Sequence, residues 1–483
     1  MSRTHIIDTS NLVGETVNLY GWVNVRRDQG KIIFIDLRDR SGVVQMVFAP
    51  HQSNSLTAIQ KEGGIGTGQV PSNKELFGLA EKLRPEWVIR VKGLVKERPK
   101  KMVNPETPTG KVEIEPLELE ILNEAETPPF PLDNDGHDID EDLRRKYRYL
   151  DLRRDRMKEN IMLRHKALIL TRDYLNKEGF VEIETPTLTK TSPEGARDFV
   201  VPSRFHPGKF YALPQAPQQY KQLLMIAGFE KYYQLSHAFR DEDLRGDRQF
   251  EHTQIDMEMS FAGEKDVWAV TEGLMIQIVE SLGKKITQKP FPVFSHEEAM
   301  EKFGADKFDL RKDKNNPDEF AFAWVTDFPL FEWDEENKKY TFAHNPFSAP
   351  KPEHVEKLMK GEDLGNLRAR QYDLVCNGYE LASGGVRISV PEVQRKVFEI
   401  MGLSPAEVED RFGHLINAYK FGAPPHAGIA PGLDRLIMLL ANEKDIREVI
   451  AFPMSARGQT SVMDAPSELD EKQLKELHIK IDK

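Results

Sequence analysis

The densest charged stretch of the chain is Phe239-Arg240-Asp241-Glu242-Asp243-Leu244-Arg245-Gly246-Asp247-Arg248-Gln249, in which three arginines and four acids are interleaved within eleven residues. That composition does not fit a core. The alternating run Gln254-Ile255-Asp256-Met257-Glu258-Met259 follows directly and reads as a strand. A loop framed by strands aims cations and carboxylates at one charged ligand, although a solvated hairpin tolerates the same residues. Four further segments carry polar and charged residues on strand-like or turn-like frames: 192–198, 215–222, 343–347 and 377–387. A fifth, 427–440, reads as a glycine-rich turn leading into an apolar helix, with Arg435 in its first turns. Glycine lets backbone approach a ligand and a helix start offers oriented amides to an anion, so Arg435 is placed to cap a phosphate. Taken alone, such a turn is more often an ordinary helix start. The spacings of a Walker loop and of a dinucleotide fingerprint are both absent.

These segments need a scaffold, and 483 residues with 39% hydrophobic content provide for two or three domains with their own cores. Strand patterns at 17–25, 31–38, 43–48, 87–96 and 112–122 predict a small closed barrel, the strand count of a class whose face binds oligonucleotides. Ile33, Ile35 and Leu37 alternate onto one face while Phe34, Asp36 and Arg38 share the other. A lone exposed Phe is more often a partly covered barrel residue. Beside Arg26, Arg27 and Lys31, however, Phe34 fits the way single strands are held, by stacking next to cations. Eight basic and two acidic residues between Lys82 and Lys101 form a second positive strip, a pattern that is usually a solvated face.

Residues 126–142, rich in Pro, Gly and acid, read as a linker. Helical spacing with many Arg and Lys follows over 143–170, and a second helix-compatible run ends at Glu178-Gly179. The remainder is mixed α/β. A net charge of -11 argues against non-specific coating of nucleic acid, so any such contact is local. The single cysteine, Cys376, excludes an internal disulfide framework and a multi-cysteine zinc site, and suits a small core position in a reducing compartment. Without a signal-peptide pattern or an apolar run of about 20 residues, the expectation is a cytoplasmic protein with no membrane span.

With these residues in view, nearly the whole chain resembles bacterial-type aspartyl-tRNA synthetases, which are class II aminoacyl-tRNA ligases. Residues 179–186, ending in Pro186, resemble the first class II motif, which in the family lies at a homodimer interface. Phe239-Arg240-Asp241-Glu242 through Glu258 resembles the second, and Gly432-Leu433-Asp434-Arg435 the third. Pro193-Glu194-Gly195-Ala196-Arg197-Asp198 and Arg240-Asp241-Glu242-Asp243-Leu244-Arg245 resemble signatures of the bacterial aspartyl branch. The resemblance implies a multidomain fold of three parts. They are an N-terminal five-stranded OB-fold barrel for the anticodon (1–125), a linker or hinge (126–160), and a class II catalytic domain (161–483) on a mixed, mainly antiparallel sheet flanked by helices.

It also implies roles. Arg240 would bridge the substrate α-carboxylate and the ATP α-phosphate, stabilising charge without a general base. With Glu242 and Arg435 it makes the catalytic set. Asp241, Glu242, Gln249, His252, Glu380, Gly432, Leu433, Asp434 and Arg435 join Arg240 around ATP, Arg435 on the γ-phosphate. Asp373 and Glu380 would hold Mg²⁺, an ion suited to hard oxygen ligands and shared phosphates. Lys221 and Arg387 would grip the aspartate side chain beside His344. Glu194, Gln218 and Asp256 would face its ammonium group, and Gln254 is a further substrate contact. Phe34 and Gln45 would stack on and read the middle anticodon base, Arg26 and Arg27 would contact its backbone, and Gln29 sits in the adjoining turn.

The chain departs from the family pattern in several places. His252 stands where a phenylalanine packs on adenine, Ala216 where serine is common, and Asn345 where a second histidine is frequent. The large bacterial insertion domain is expected to be missing, leaving a shortened region around 261–320 and a compact outline closer to archaeal or asparaginyl relatives. The implied function is ATP-dependent charging of aspartate tRNA through an aspartyl-adenylate. One alternative is a non-discriminating enzyme that also charges asparagine tRNA with aspartate, between which Gln29 does not decide. A catalytically silent, synthetase-like RNA-binding protein is opposed by the presence of Arg240 and Arg435. An asparaginyl enzyme is opposed by Lys221 and the Pro-Glu-Gly-Ala-Arg-Asp segment.

Overall fold

A computed structural model describes residues 2–50, 72–191 and 195–482. The chain divides into two compact units, Met1–Pro131 and Leu132–Lys483.

In the first unit, β1 (Thr16–Asp28), β2 (Ile33–Asp39), β3 (Gly42–Phe48), β4 (Val88–Glu97) and β5 (Val112–Asn123) close into a barrel of order β1-β2-β3-β5-β4. β3 and β5 meet in parallel at Met46 and Ile114, and the other pairs are antiparallel. The period-2 pattern works as expected: Ile33, Ile35 and Leu37 are fully buried with Leu19, Val23, Ile89 and Val91. Phe34 is half-buried and lies opposite Arg27 on one side and Val47 on the other. Arg38 departs from the expectation of an outward position. It is buried, forked onto Glu86 at 2.8 and 3.0 Å with Asn24 as a third partner. A carboxylate forty-eight residues away pairs it, which strand alternation has no means of registering. Helix α1 (Asn73–Lys82), capped by Ser72, turns Leu76 and Ala80 into the barrel core.

The second unit is built on an eight-stranded sheet. Its strands are β6 (Val181–Glu182), β7 (Lys231–Phe239), β8 (Glu251–Ser260), β9 (Val293–Ser295), β10 (Phe322–Thr326), β11 (Gln371–Cys376), β12 (Tyr379–Val386) and β13 (His426–Pro431). The order across the sheet is β9-β10-β11-β12-β13-β8-β7-β6. Only the two edge pairs, β9 with β10 and β6 with β7, are parallel. Trp324 and Tyr372 are fully buried in the sheet, and Trp268 from the helix Glu264–Ser281 stacks on Trp324 at 5.2 Å. That helix, like the short helix His296–Phe303, lies in the 261–320 region.

The stretch expected as a linker, 126–160, is helical from Glu141 onward: Glu141–Lys146, Arg148–Asp151, then the start of the long helix Asp155–Lys177. Its arginines look like solvated residues, yet Arg144, Arg148 and Arg154 are buried around Asp151, which accepts from them at 3.3, 2.8 and 2.8 Å. Arg144 and Arg156 also reach Glu448, each by a hydrogen bond of 3.2 Å or less, and Arg148 donates to the Ala451 carbonyl at 2.9 Å. Residues some three hundred positions downstream thus supply the counter-charges. Asp151 itself has no exposed surface. Replacing it by Asn leaves three guanidinium groups short of charge, and we expect Asp151→Asn to lower the unfolding free energy by about 3–5 kcal/mol in urea titrations. A stability equal to that of the parent protein would contradict this account of the segment.

Candidate active site

β7 and β8 are joined by the charged loop 240–250, with the Arg240 N–H donating to the Phe250 carbonyl at 2.8 Å. The fifth polar segment resolves differently from the expected glycine turn: 426–431 is strand β13, and only Gly432 turns, as N-cap of the helix Leu433–Leu440. The loop, β8, β12, β13 and this helix enclose a cavity of about 520 Å³. Arg240, Lys221, Arg387 and Arg435 all line it, as do Glu242, Gln218, Gln254, Asp256, His344, Gln249, His252, Glu380, Gly432 and Asp434. Asp241, Leu433 and Asp373 are not among the lining residues. Asp241 turns to Arg197 at 3.5 Å, Leu433 is fully buried in the core, and Asp373 sits one layer behind, 3% exposed. Glu194 falls outside the described residues.

One wall of the cavity is a buried cluster of four charges. Lys221 Nζ, from the helix Gln218–Ile226, lies 2.9 Å from Asp256 Oδ2 and 3.2 Å from Glu258 Oε2. Arg387 donates Nε and Nη2 to the same Glu258 at 2.8 and 3.1 Å. Asp256 and Glu258 are two apart on β8 and so point the same way. Burial drives the Glu258 carboxyl up, but Arg387 and Lys221 outweigh it and hold the group at about 2. Asp256 shares the burial with less compensation, and its carboxyl is raised. Gly428 on β13 makes room for this arrangement, since a Cβ there would fall inside the Glu258 carboxylate. Lys221 and Arg387 are therefore not a bare pair of cations, as expected from sequence. Each has a counter-ion, because two naked charges in a wall this buried cost several kcal/mol.

Next to the cluster, Asp256 Oδ1, Gln218 Nε2 and Gln254 Oε1 are buried and have no hydrogen-bond partner. Buried polar atoms are rarely left so. Two acceptors and one donor around a cavity suit a small zwitterionic ligand. Gln215 locks the rim by exchanging two hydrogen bonds with the Ala196 backbone at 2.8 and 3.0 Å and donating to Asp198 at 2.6 Å.

The other end of the cavity carries arginine–carboxylate pairs. Arg435 donates to the Glu380 carbonyl at 2.8 Å and pairs with Asp247 at 3.1 Å, while Glu242 pairs with Arg248 at 3.6 Å. Asp434 works structurally: it accepts from the Thr253 N–H at 2.8 Å and from Arg164, tying the helix to β8. Burial, with Arg240 and Arg435 nearby, pushes His252 down to about 3, so it presents a neutral ring at ordinary pH.

Asp373 is buried and Glu380, its neighbour, is half-buried. Burial and then the Glu380 charge raise the Asp373 carboxyl well above its usual range. His344 stands on this side, Nε2 4.0 Å from Asp373 Oδ2. No group of three or more His, Cys, Asp or Glu converges on a metal position among the described residues. Two hard carboxylates fit an ion that takes its other ligands from water and phosphate better than one caged by protein.

On the barrel, Arg27 pairs with Asp36 at 2.7 Å and reaches Gln45 at 3.3 Å, so Arg27, Phe34 and Gln45 share one outer face. Arg26 turns to Asp28 at 2.7 Å and the Ala80 carbonyl at 3.3 Å. Gln29 is exposed in the β1–β2 turn.

Sequence reasoning missed Glu258, Gln215, Lys307 and Gln371. Glu258 had a signal, since buried cations on a strand face need a carboxylate at i+2 from Asp256. Gln371 had none. It is buried, accepts from Asn345 and Ser348 at 3.0 and 2.9 Å, and donates to Ser383 and Asp373 at 2.7 and 3.2 Å. Asn345 is thus fixed by a network spread over three segments.

The chain matches the model of tRNA synthetases class II (D, K and N) over residues 140–456 and that of an OB-fold nucleic acid binding domain over 17–122. It is 40% identical to the aspartate–tRNA(Asp/Asn) ligase of Rubrobacter xylanophilus, covering 99% of this chain and 97% of that protein. It is 39% identical to the aspartate–tRNA ligase of Staphylococcus saprophyticus, covering 98% of each. The first of these alignments runs over 606 positions although this chain has 483 residues, so long gaps face the relative. In fold it is similar to the asparaginyl-tRNA synthetase of Pyrococcus horikoshii, with a TM-score of 0.71 at 22% identity over 94% of this chain and 98% of that one.

Because Glu258 is held near 2 against an ordinary 4.5, its stabilising contribution is full above pH 4.5 and is lost as the pH falls toward 2. Glu258→Gln is expected to cost about 3–5 kcal/mol of stability near neutral pH, with the gap to the parent protein closing as the pH is lowered through that window. Unfolding titrations showing the same gap at about pH 6 and about pH 3 would contradict the assignment.

Proposed function

The chain belongs to the class II tRNA synthetases of the D, K and N group, and from that premise we propose that it joins L-aspartate to tRNA through an aspartyl-adenylate formed from ATP. The observation that carries this reading is the meeting of Arg240, Lys221, Arg387 and Arg435 on one cavity of about 520 Å³.

The charged groups of the cavity favour aspartate. Lys221 and Arg387 are paired with Asp256 and Glu258 in a buried wall, and their remaining N–H groups suit a carboxylate better than an amide. Asparagine offers those buried cations an amide in place of a carboxylate, which costs several kcal/mol. The unpartnered Asp256 Oδ1 takes the ammonium with Gln218 and Gln254 beside it, and the remaining N–H groups of Lys221 and Arg387 take the side-chain carboxylate. Arg240 neutralises the α-carboxylate as its oxygen bonds to the α-phosphorus. The bond to the β-phosphate then breaks and its electrons leave with pyrophosphate. That step calls for fixed positive charge and alignment rather than a proton acceptor.

His252, a neutral ring beside Arg240 and Arg435, offers adenine a stacking face in place of phenylalanine. Asp373 and Glu380 would hold Mg²⁺, which supplies charge neutralisation to the phosphates when bound. The barrel face of Arg27, Phe34 and Gln45 takes the anticodon, and the enzyme works in the cytoplasm as a homodimer. No described helix is long and apolar enough to cross a membrane.

A second reading, charging of asparagine tRNA as well, is favoured by the first relative's name and not by the second's. Aminoacylation of purified aspartate and asparagine tRNAs, side by side with [14C]aspartate, separates them. We expect aspartate on the first tRNA, and Phe34→Ala to raise the KM for that tRNA by about tenfold while aspartate-dependent pyrophosphate exchange is unchanged. No transfer to either tRNA would refute the proposal, and an unchanged KM would return Phe34 to a covering role on the barrel.

A further inference from the structure

Lys307 lines the cavity from a loop to which neither motif nor charge pattern assigns a role, between the helix His296–Phe303 and the short strand Glu319–Phe320. Its ammonium lies 2.8 Å from Glu380 Oε2, on the residue whose carbonyl accepts from Arg435. The loop is clamped rather than free. Phe308, the next residue, is 6% exposed and packs on Phe303 and Phe294 in a cluster with Val325, Phe328 and Val375. Its carbonyl accepts from the Gly378 N–H at 3.0 Å, which pins Lys307 to the turn between β11 and β12. Asp309 and Arg311 pair at 2.8 Å just beyond. Lys307 nevertheless keeps 38% of its side chain exposed toward the cavity, so a rigid stem presents a movable, three-donor point charge.

We propose that Lys307 contacts substrate: it binds the β- and γ-phosphates of ATP opposite Arg435 and holds the pyrophosphate as it leaves. This rests on the reading that the cavity binds ATP. Before nucleotide arrives, the ammonium rests on Glu380, which spares both groups an unpaired state beside a buried carboxylate. When ATP is bound, the phosphates offer more negative charge than one carboxylate, and the ammonium swings to them, releasing the Glu380 carboxylate. As the aspartate oxygen bonds to the α-phosphorus, negative charge grows on the departing bridge oxygen, where a lysine adds stabilisation in the transition state. A lysine that served only to position Glu380 would not distinguish ligands that carry the β- and γ-phosphates from ligands that lack them.

That contrast is the test. Calorimetric titration of the full-length protein and of Lys307→Met and Lys307→Arg uses two ligands: ATP, and the aspartyl sulfamoyl-adenosine that mimics the adenylate without pyrophosphate. Lys307→Met should weaken ATP by about tenfold or more and leave the adenylate mimic within about twofold, with Lys307→Arg recovering most of the loss. Unchanged ATP affinity in Lys307→Met, or an equal loss for both ligands, overturns the proposal while leaving the ATP site intact. Failure of the unaltered protein to bind either ligand overturns the ATP reading itself, and this inference with it.

Discussion

Lys221 and Arg387 stand in a wall with almost no solvent, and they stay charged there because Asp256 and Glu258 come to them from adjacent same-face positions of one strand. The cost of removing four charges from water is met only by close geometry, with every ion pair in the cluster between 2.8 and 3.2 Å. That requirement fixes much around it. β8 must keep its register with β7 and β13, Gly428 must lack a side chain, and the helix of Lys221 must pack against the sheet. The cluster also sets the chemistry of this wall, since its own charges cancel. On the proposed reading, recognition of an acidic amino acid then follows from the N–H groups left to the two cations and a few unsatisfied polar atoms, rather than from a strong cationic trap.

The end of the cavity lined by Arg435 and Glu242 obeys a different rule. Its ion pairs are longer or more exposed, as with Glu242 and Arg248 at 3.6 Å and Arg435 and Asp247 at 3.1 Å. Such pairs are worth little and exchange partners readily. A site that must accept and then release a highly charged leaving group gains from cations whose resting partners are easily displaced. On the proposed reading the two ends divide the labour: a rigid, compensated wall for selectivity and a looser set of charges for phosphoryl chemistry.

How much of this was legible in the sequence differs by scale. The barrel strands fell within one to three residues of their predicted ends, because period-2 burial and Gly or Pro punctuation are local signals. The charged loop on its two strands was equally readable. What sequence did not reveal were partners distant in the chain. Arg38 and Glu86, and Glu448 with Arg144 and Arg156, are polar residues that local patterning assigns to solvent. The same blindness made Lys221 and Arg387 look uncompensated and left Lys307 unnoticed, since nothing in its own neighbourhood shows that Phe308 anchors it beside Glu380. Resemblance to a family named candidate residues, and the coordinates show the counter-ions of Lys221 and Arg387 among those that line the cavity.

The central claim is that Lys221 and Arg387, held in place by Asp256 and Glu258, select an anionic side chain before any tRNA is involved. ATP–pyrophosphate exchange by the purified protein, run without tRNA and with aspartate or asparagine as the only amino acid, addresses it most directly. The account predicts rapid exchange with aspartate and exchange at least a hundredfold slower with asparagine, a gap of roughly 3 kcal/mol in transition-state stabilisation. Comparable exchange with both amino acids, or none with aspartate, would contradict it.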